Sequence, residues 1–378
     1  MNIGQRTISE SAPPYIIAEI GVNHDGSVAR ALDLVRAAAA TGVNAVKFQY
    51  FRAELLMSRA ARLAAYQADA GESDPVAMLA RLELSLDELS QCIAAAHAAN
   101  LHAIVTIFSL PLLPPALRLP WDALKTASPD IIHRPMLEAL ATDGRPLIIS
   151  TGASTLDEVR RAGGWISPAR TRTGFLQCVS AYPAAPEHAE LGGVQALRAA
   201  LGAPVGYSDH TREVSTGAAA VARGACMLEK HFTLDRAAAG PDHAASLEPA
   251  QMRAYVDAAR SAQAHPNRAD RGVSSARALG QNAVKRVLPI EADVRSVSRQ
   301  SVVALRTLPR GHILAPADIC FKRPGSGAPP FEAHRMFGCA LTRAVDADMP
   351  IALSDAGLHP LDDAPRARSA LCTQAAHR

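Results

Sequence analysis

Short apolar runs alternate with longer segments of helical periodicity along the first two thirds of the chain. The first run, at residues 15–20, precedes a segment at residues 28–40 in which Leu34, Val35 and Ala38 recur at helical spacing. Further strand-like runs lie at residues 45–48, 102–107, 123–125, 147–150, 175–179, 205–207 and 226–230. Repeated βα units imply a parallel sheet with right-handed crossovers. Eight units in roughly 260 residues favour an α/β fold of the (β/α)8 TIM-barrel type over an open doubly wound sheet.

The pattern changes after residue 264, which divides the chain into four predicted segments. Residues 1–264 are the barrel, and residues 265–298 are rich in Pro, Asn, Arg and Ser, as expected of a linker with a short helix. Residues 299–358 start with a strand-like run at 301–306 and predict a compact β-rich module. A module of about 60 residues is marginally stable alone, so we expect it to pack against another surface. The polar tail at residues 359–378 is predicted to be disordered.

Composition narrows the class of protein. The chain has 378 residues with 39 Lys+Arg and 36 Asp+Glu, a net charge of +3 that does not favour nucleic acid as a partner. The six cysteines are widely spaced and form no Cys-x-x-Cys pair, which indicates reduced thiols in the cytoplasm. No secretory signal and no uncharged apolar stretch of about 18 residues is present, so we expect no membrane association.

Polar residues stand at nearly every predicted strand end. In a (β/α)8 barrel the active site lies at the C-terminal ends of the strands, so these side chains are expected to converge. The set comprises Glu19, Lys47, Gln49, Thr106, Lys125, Ser128, Ser150, Ser180, Ser208, Asp209, His210, Glu229, Lys230 and His231. Loops begin at the same positions, so any single one of these residues is equally compatible with a purely structural role.

Two subsets of these residues indicate chemistry. His210 and His231 end consecutive strands, and two neutral imidazoles with open positions suit a divalent metal ion that acts as a Lewis acid. Lys47 and Lys125 can grip an anion from two sides, with serine hydroxyls as further donors. The alternatives are surface or core histidines, and lysines that only form a salt bridge with a carboxylate such as Glu19.

Several motifs in the same order resemble the bacterial sialic-acid synthases, the N-acetylneuraminate synthase family. They are AEIGVNHDG (18–26), AVKFQ (45–49), ISTG (149–152), GYSDHT (206–211), EKHFTLD (229–235), GPDH (240–243) and, in the small module, KRPG (322–325). The resemblance extends from about residue 15 to residue 358. It implies a transferase that condenses phosphoenolpyruvate with an N-acylated amino-sugar aldehyde, N-acetylmannosamine or a 2,4-diacetamido-6-deoxy hexose. The product is a nonulosonic acid, and phosphate leaves by C–O cleavage.

The resemblance also implies an architecture and a set of roles. A small antifreeze-like (SAF) domain follows the barrel, and in a domain-swapped homodimer each small domain covers the partner's barrel. His210 and His231 bind a divalent ion, Mn²⁺ first and Mg²⁺ or Co²⁺ as alternatives, and Glu19 positions or deprotonates water. Phosphoenolpyruvate is expected on Lys47, Thr106, Lys125, Ser128, Ser150, Ser180 and Ser208. The sugar is expected at Glu19, Gln49, Tyr182 and Asp242, with Arg323 of the partner at the N-acyl group.

The chain departs from the family pattern near the sugar. KTASPD at residues 125–130 replaces a usual Lys-x-x-Ser-Gly-Glu run, so Asp130 is expected to carry the substrate-facing charge on a shorter arm. Gln177 also replaces a frequent histidine. Two other functions remain open: a Schiff-base aldolase that uses Lys125 or Lys230 on pyruvate, and a catalytically inactive sugar-binding homologue.

Overall fold

Eight parallel strands close into a barrel, which confirms the predicted (β/α)8 architecture. The computed structural model of the chain describes residues 1–264 and 283–359. A short antiparallel hairpin, β1 (Asn2–Ile3) and β2 (Arg6–Thr7), precedes the barrel. Each barrel strand pairs with the next in sequence, and the last pairs with the first. The barrel strands are β3 (Tyr15–Glu19), β4 (Ala45–Tyr50), β5 (His102–Ile107), β6 (Ala123–Thr126), β7 (Leu147–Ser150), β8 (Thr173–Cys178), β9 (Val205–Asp209) and β10 (Met227–His231).

Helices follow the strands and cover the outside of the barrel. The first, α1 (Val28–Ala39), begins where the Ser27 hydroxyl accepts a hydrogen bond from the Arg30 amide, as an N-cap serine does, and buries Leu34 and Val35. The others in this part are α2 (Ala53–Leu56), α3 (Ala65–Asp69), α4 (Pro75–Arg81), α5 (Leu86–Ala98), α6 (Leu113–Ala116), α7 (Arg134–Thr142), α8 (Leu156–Trp165), α9 (Gly192–Leu201), α10 (Thr216–Ala222) and α11 (Pro249–Ala264). In the described ranges, 1–264 and 283–359, no helix is long and apolar enough to cross a bilayer.

Alternate residues of each strand face the barrel interior, and their character changes from one end to the other. Because side chains on a strand alternate with period two, inward positions form layers across the barrel. The lowest layers are apolar: Tyr15, Ile17, Ala45, Ile104, Ala123, Ile148, Leu176 and Met227 pack together above Ile3 and Ile8 of the N-terminal segment. The next inward residue is polar on every strand except β8, where it is Cys178, so the polar groups of the interior lie at the C-terminal end of the barrel.

A second hydrophobic core lies in the small domain. Strands β11 (Ser301–Ala304) and β12 (Ile319–Lys322) form an antiparallel pair, and α13 (Ala333–Met336) follows them. Strand β11 is two residues shorter than the run predicted at 301–306. The domain buries its own cluster, which includes Val302, Leu314 and Ile351.

The small domain lies over the mouth of its own barrel. The Arg323 amide donates to the Leu56 carbonyl at 2.8 Å, and the Ser58 amide donates to the Arg323 carbonyl at 2.8 Å. Helix α12 (Ala292–Ser298) lies in the predicted linker just before this domain. Residues 265–282 of that linker, and the predicted disordered tail from residue 360 onward, lie outside the described residues. Arg323 therefore reaches the barrel from the same chain in this structure, and its exchange between subunits stays a prediction.

Candidate active site

The predicted polar residues converge on one cavity at the C-terminal ends of the barrel strands. Its volume is about 920 Å³, including the space that opens to solvent. All the predicted site residues except Asp130 line it: Glu19, Lys47, Gln49, Thr106, Lys125, Ser128, Ser150, Ser180, Tyr182, Ser208, His210, His231, Asp242 and Arg323. Strand-end position was therefore sufficient to assemble most of the site.

Each buried lysine of the cavity is paired with a carboxylate. Lys47 contacts Glu19 and donates to the Thr106 hydroxyl at 3.2 Å. Lys125 lies 3.3 Å from Glu229, which also accepts a hydrogen bond from the Ser208 hydroxyl at 3.1 Å. The structure therefore confirms that both lysines form salt bridges, and it places both of them in the cavity lining, while their binding of an anion stays a prediction. The cavity is balanced in charge before a ligand enters.

Burial shifts the protonation of these groups. It raises the pKa of Glu19 to about 7, against the opposing charge of Lys47. It lowers the pKa of Lys125, against the opposing charge of Glu229. Burial also raises the pKa of Asp242 to about 6. Near neutral pH the cavity therefore holds two carboxyl groups, those of Glu19 and Asp242, that are able to exchange protons.

The two histidines face each other with nitrogen lone pairs available. Their ring centroids are 5.5 Å apart. His210 Nδ1 lies 2.7 Å from the Val179 carbonyl oxygen, and because a carbonyl only accepts, Nδ1 carries a proton. Burial lowers the pKa of His210, but the neighbouring Cys178 and the Val179 carbonyl outweigh it and raise the pKa, so Nε2 offers a lone pair in the neutral form of the ring. His231 Nδ1 is buried without a hydrogen-bond partner among the described residues, 3.6 Å from Asp242.

This donor set fits a divalent ion that keeps open coordination positions. A metal-binding histidine commonly donates its other ring N–H to a carbonyl, as His210 does. Burial lowers the pKa of His231 well below its usual value, so its imidazole is neutral and able to act as a ligand. The described residues contain no group of three or more His, Cys, Asp or Glu side chains arranged to hold a metal. The two imidazoles would thus leave positions for water or substrate.

Small polar groups line the side of the cavity near the lysines. The Gly152 amide donates to the Ser128 hydroxyl at 3.0 Å. The Ser150 hydroxyl is buried and has no hydrogen-bond partner among the described residues. A buried hydroxyl of this kind is costly unless a ligand or water completes it. The Ser150 hydroxyl is therefore available to a ligand or a water molecule.

Another part of the cavity lining combines polar and apolar groups. Gln49 donates to Glu19 at 3.2 Å, and the ring of Tyr182 packs against His210 with centroids 4.1 Å apart. The Arg323 guanidinium lies 5.5 Å from the centroid of the Phe108 ring. An apolar wall completes this side, formed by Val22, Met78, Leu79, Leu82 and Phe108.

Asp130 is the predicted site residue that the structure does not bring to the cavity. Its carboxylate is buried and accepts a hydrogen bond from the Ala127 amide at 3.0 Å. The short side chain thus caps the turn that it belongs to and does not extend into the cavity. Burial raises the pKa of Asp130 to about 7, against the opposing charge of Arg323. Arg323 itself lines the cavity.

Lining residues without a predicted role come from two sources. Glu229 and Cys178 occupy inward strand positions; Glu229 was expected at this end of the barrel without a role, and Cys178 was not expected there. Tyr66 and Met78 come from α3 and α4, whose approach to the cavity has no signal in the local sequence. The Cys178 thiol lies 3.7 Å from His210 Nδ1 and 3.7 Å from the Ser128 hydroxyl.

Lys230 points away from the cavity. Its ammonium lies 3.1 Å from the Asp209 carboxylate and 5.4 Å from the centroid of the Tyr255 ring, with no exposed side-chain surface. Its side chain lies between the barrel wall and α11, because alternate residues of β10 point outward and Lys230 is one of them. Of the two lysines considered for a Schiff base, only Lys125 lines the cavity.

Comparison with known proteins assigns nearly the whole chain to the family that the sequence motifs resemble. The profile of the NeuB family matches residues 34–270, and that of the SAF domain matches residues 299–356. The N,N'-diacetyllegionaminic acid synthase of Legionella pneumophila is 34% identical over 88% of this chain and 92% of its own. The human N-acetylneuraminate-9-phosphate synthase is 30% identical over 91% of this chain and 92% of its own.

A solved structure extends the likeness to the fold. The crystal structure of the spore coat polysaccharide biosynthesis protein SpsE of Bacillus subtilis has a TM-score of 0.80 and 28% identity, and covers 95% of this chain and 99% of that one. The small module is thus an SAF domain, as the KRPG motif predicted. With the barrel, the cavity and the profile match all in agreement, the chain belongs to the NeuB family.

Proposed function

We propose that the chain is a phosphoenolpyruvate-dependent nonulosonate synthase. It joins C3 of phosphoenolpyruvate to the aldehyde carbon of an N-acylated amino sugar, and a water adds at C2. Breaking the C2–O bond of the resulting intermediate releases phosphate and leaves a 2-keto acid. The observation that carries this proposal is the presence of two buried lysines, a row of hydroxyl groups and two facing histidines in one cavity.

In this proposal Lys47 and Lys125 hold the carboxylate and the phosphate of phosphoenolpyruvate. Both ammonium groups are buried, where a charge interacts more strongly with an anion than it does in water. Their carboxylate partners, Glu19 and Glu229, keep these cations stable while the cavity is empty. Thr106, Ser128, Ser150, Ser180 and Ser208 supply neutral donors around the same anion.

His210 and His231 would hold a divalent ion, for which we propose Mn²⁺ first and Mg²⁺ or Co²⁺ as alternatives. Such an ion supplies a Lewis acid that polarises the sugar aldehyde. Within the chain itself, we propose that Glu19 orients the water and accepts its proton, a role for which its pKa of about 7 is suited at neutral pH.

The amino sugar is proposed to lie across Gln49, Tyr182, Asp242 and Arg323. The apolar wall of Val22, Met78, Leu79, Leu82 and Phe108 adjoins Arg323 and suits the methyl groups of an acceptor. A 2,4-diacetamido-6-deoxy hexose has three such groups, whereas N-acetylmannosamine has one. We therefore propose the diacetamido sugar as the better acceptor of the two.

The first test is release of inorganic phosphate. We expect release only when phosphoenolpyruvate, an amino-sugar acceptor and a divalent ion are all present, and we expect it to stop after exhaustive treatment with EDTA and to return on adding Mn²⁺. Reactions that lack one component are the controls. Full activity after EDTA would contradict the metal role, and sugar binding without phosphate release would favour an inactive sugar-binding protein.

We also propose that the protein works as a domain-swapped homodimer in the cytoplasm. Five cysteines lie in the described ranges (Cys92, Cys178, Cys226, Cys320 and Cys339), and all are free thiols, in keeping with a reducing compartment. Neither nucleic acid nor membrane is a proposed partner. The SAF domain buries only a small core of its own, so a barrel surface is needed to stabilise it.

Mixed dimers distinguish an exchanged Arg323 from one that acts within its own chain. We expect light scattering to show a dimer at micromolar concentration. Co-expression of a Lys125→Met chain with an Arg323→Ala chain should then restore activity, because an exchanged dimer contains one site with both residues intact. Each variant expressed alone is the control. A dimer in which co-expression restores nothing would place Arg323 in its own chain's site, and a monomer would exclude the exchange.

A further inference from the structure

A buried carboxylate from outside the barrel contacts two loops of the active site. Glu291 lies in the segment before α12 and has no exposed surface. Its Oε1 accepts hydrogen bonds from the Ala153 amide at 2.6 Å and from the Ser180 amide at 2.8 Å. Its Oε2 accepts one from the Leu288 amide at 2.8 Å, within its own turn. One oxygen atom thus joins the loop after β7 to the loop after β8.

The loop after β8 carries Ser180, and the loop after β7 contacts Ser128, which follows β6, through the Gly152 amide. Ser180 lines the cavity beside Ser128, and Gly152 separates them. The space around Gly152 is so small that an added Cβ would collide with the Ser180 hydroxyl and would lie 2.8 Å from that of Ser128. A small displacement of the loop after β7 would therefore disturb both hydroxyls through Gly152.

Ala153, the residue after Gly152, is held at both its N–H and its carbonyl group. Ala153 has a φ of 49°, a left-handed conformation that a residue with a Cβ adopts only when its surroundings impose it. Its N–H is bound by Glu291, and its carbonyl accepts hydrogen bonds from Arg295 and, at 3.1 Å, from Arg299. Residues from the interdomain segment therefore impose the conformation of this loop.

The interdomain segment is itself attached firmly to the barrel. Arg295 and Arg299 each make two hydrogen bonds with Glu158 of α8, at 2.7 to 3.1 Å. Bidentate contacts of this kind fix direction as well as distance. Lys285 adds a hydrogen bond to the Cys178 carbonyl at 3.4 Å, at the end of β8. Glu291 is thus held in place from both sides along the chain.

We propose that Glu291 is a positioning residue for the phosphoenolpyruvate side of the cavity, a carboxylate that the interdomain segment supplies to keep the loops after β7 and β8 in register. It touches no substrate and acts through Gly152, Ser128 and Ser180. The proposal rests on the function proposed above and adds that correct docking of the interdomain segment is a condition for binding phosphoenolpyruvate.

Two substitutions at this position separate positioning from simple stability. Glu291→Met fills the same space but accepts no hydrogen bond, so we expect the KM for phosphoenolpyruvate to rise about tenfold or more, as loss of buried hydrogen bonds does. The KM for the sugar should change less than about twofold. Glu291→Gln keeps one oxygen that can accept from Ala153 and Ser180, and it should restore most of the lost affinity.

Asp318→Asn is the matched control, because Asp318 is also a buried carboxylate that caps a turn, at the Ala315 amide, but it lies in the SAF domain away from the cavity. It should lower the melting temperature and leave both KM values unchanged. If Glu291→Met behaves in the same way, or raises both KM values equally, the proposal is wrong. If Glu291→Met does not fold, Glu291→Asp replaces it, since the shorter side chain keeps the charge but reaches the Ala153 and Ser180 amides poorly. It should then raise the KM for phosphoenolpyruvate more than that for the sugar, and an unchanged KM for phosphoenolpyruvate would contradict the proposal.

Calorimetric titration with phosphoenolpyruvate, without the sugar, tests the proposed function and the positioning role of Glu291 separately. If the unmodified protein, with Mn²⁺ present, does not bind phosphoenolpyruvate, the proposed function fails. If it binds and Glu291→Met binds equally well, only the positioning role fails. Binding that is weakened by Glu291→Met and recovered by Glu291→Gln is the expected result.

Discussion

Replacing His231 with alanine is expected to abolish turnover, with a fall in kcat of roughly a thousandfold or more, because a catalytic metal contributes several kcal/mol. The His231 imidazole has an unpartnered Nδ1 in the cavity, and its ring centroid is 5.5 Å from that of His210. Removing it leaves one histidine, which is too few to retain the ion. Steady-state kinetics and the number of bound Mn²⁺ equivalents measure the two effects.

The fold should survive this substitution. His231 lies at the end of its strand, and no described side chain depends on a hydrogen bond from its Nδ1. His97→Ala is the matched control, since His97 is a partly exposed histidine of α5 that contacts only Asp122 at 2.8 Å. It should retain activity and bound Mn²⁺. A near-normal kcat in His231→Ala, with the metal retained, would reject ligation by His231.

Replacing Lys125 with methionine is expected to eliminate nearly all activity and to weaken phosphoenolpyruvate binding. Lys125 lies 3.3 Å from Glu229 and lines the cavity. Its loss removes a cation from the substrate and leaves the Glu229 carboxylate buried with less compensation. An unpaired buried charge destabilises a protein by about 3–5 kcal/mol, so we also expect a lower free energy of unfolding.

The double variant Lys125→Met with Glu229→Gln separates these two effects. It removes both charges of the pair, so the free energy of unfolding should recover while activity stays absent. Recovery of activity in the double variant would show that Lys125 does nothing for the substrate except balance Glu229.

The same lysine decides between the two enzyme classes. Burial lowers the pKa of Lys125, a property that an imine-forming lysine would also need. Borohydride reduction in the presence of pyruvate, followed by mass spectrometry, should leave Lys125 unmodified if it acts as a cation for phosphoenolpyruvate. A reduced pyruvyl adduct on Lys125 would establish the aldolase instead.

The sequence by itself determined the architecture and most of the cavity. Strand and helix periods are local properties, and they predicted eight βα units whose strands the structure confirms. Barrel geometry then brings strand ends together wherever they lie in the chain, so His210, His231, Lys47 and Lys125 could be assigned to one site from their strand positions alone. The order of the motifs predicted the family.

Only the tertiary structure decided how these residues are balanced and supported. The pairing of Lys125 with Glu229 joins residues about a hundred positions apart, and no local pattern shows which carboxylate meets which lysine. Asp130 turns back to cap its own turn, although its motif position predicted contact with the substrate.

Glu291 illustrates the limit most clearly. The sequence predicts a linker for the segment that contains Glu291. Its carboxylate nevertheless binds two active-site loops, each of which follows a strand more than a hundred residues earlier in the chain. Such contacts depend on the closure of the barrel and on the docking of a second domain. Periodicity reports which face of an element is buried, but it contains no information on which distant polar group will satisfy a buried amide.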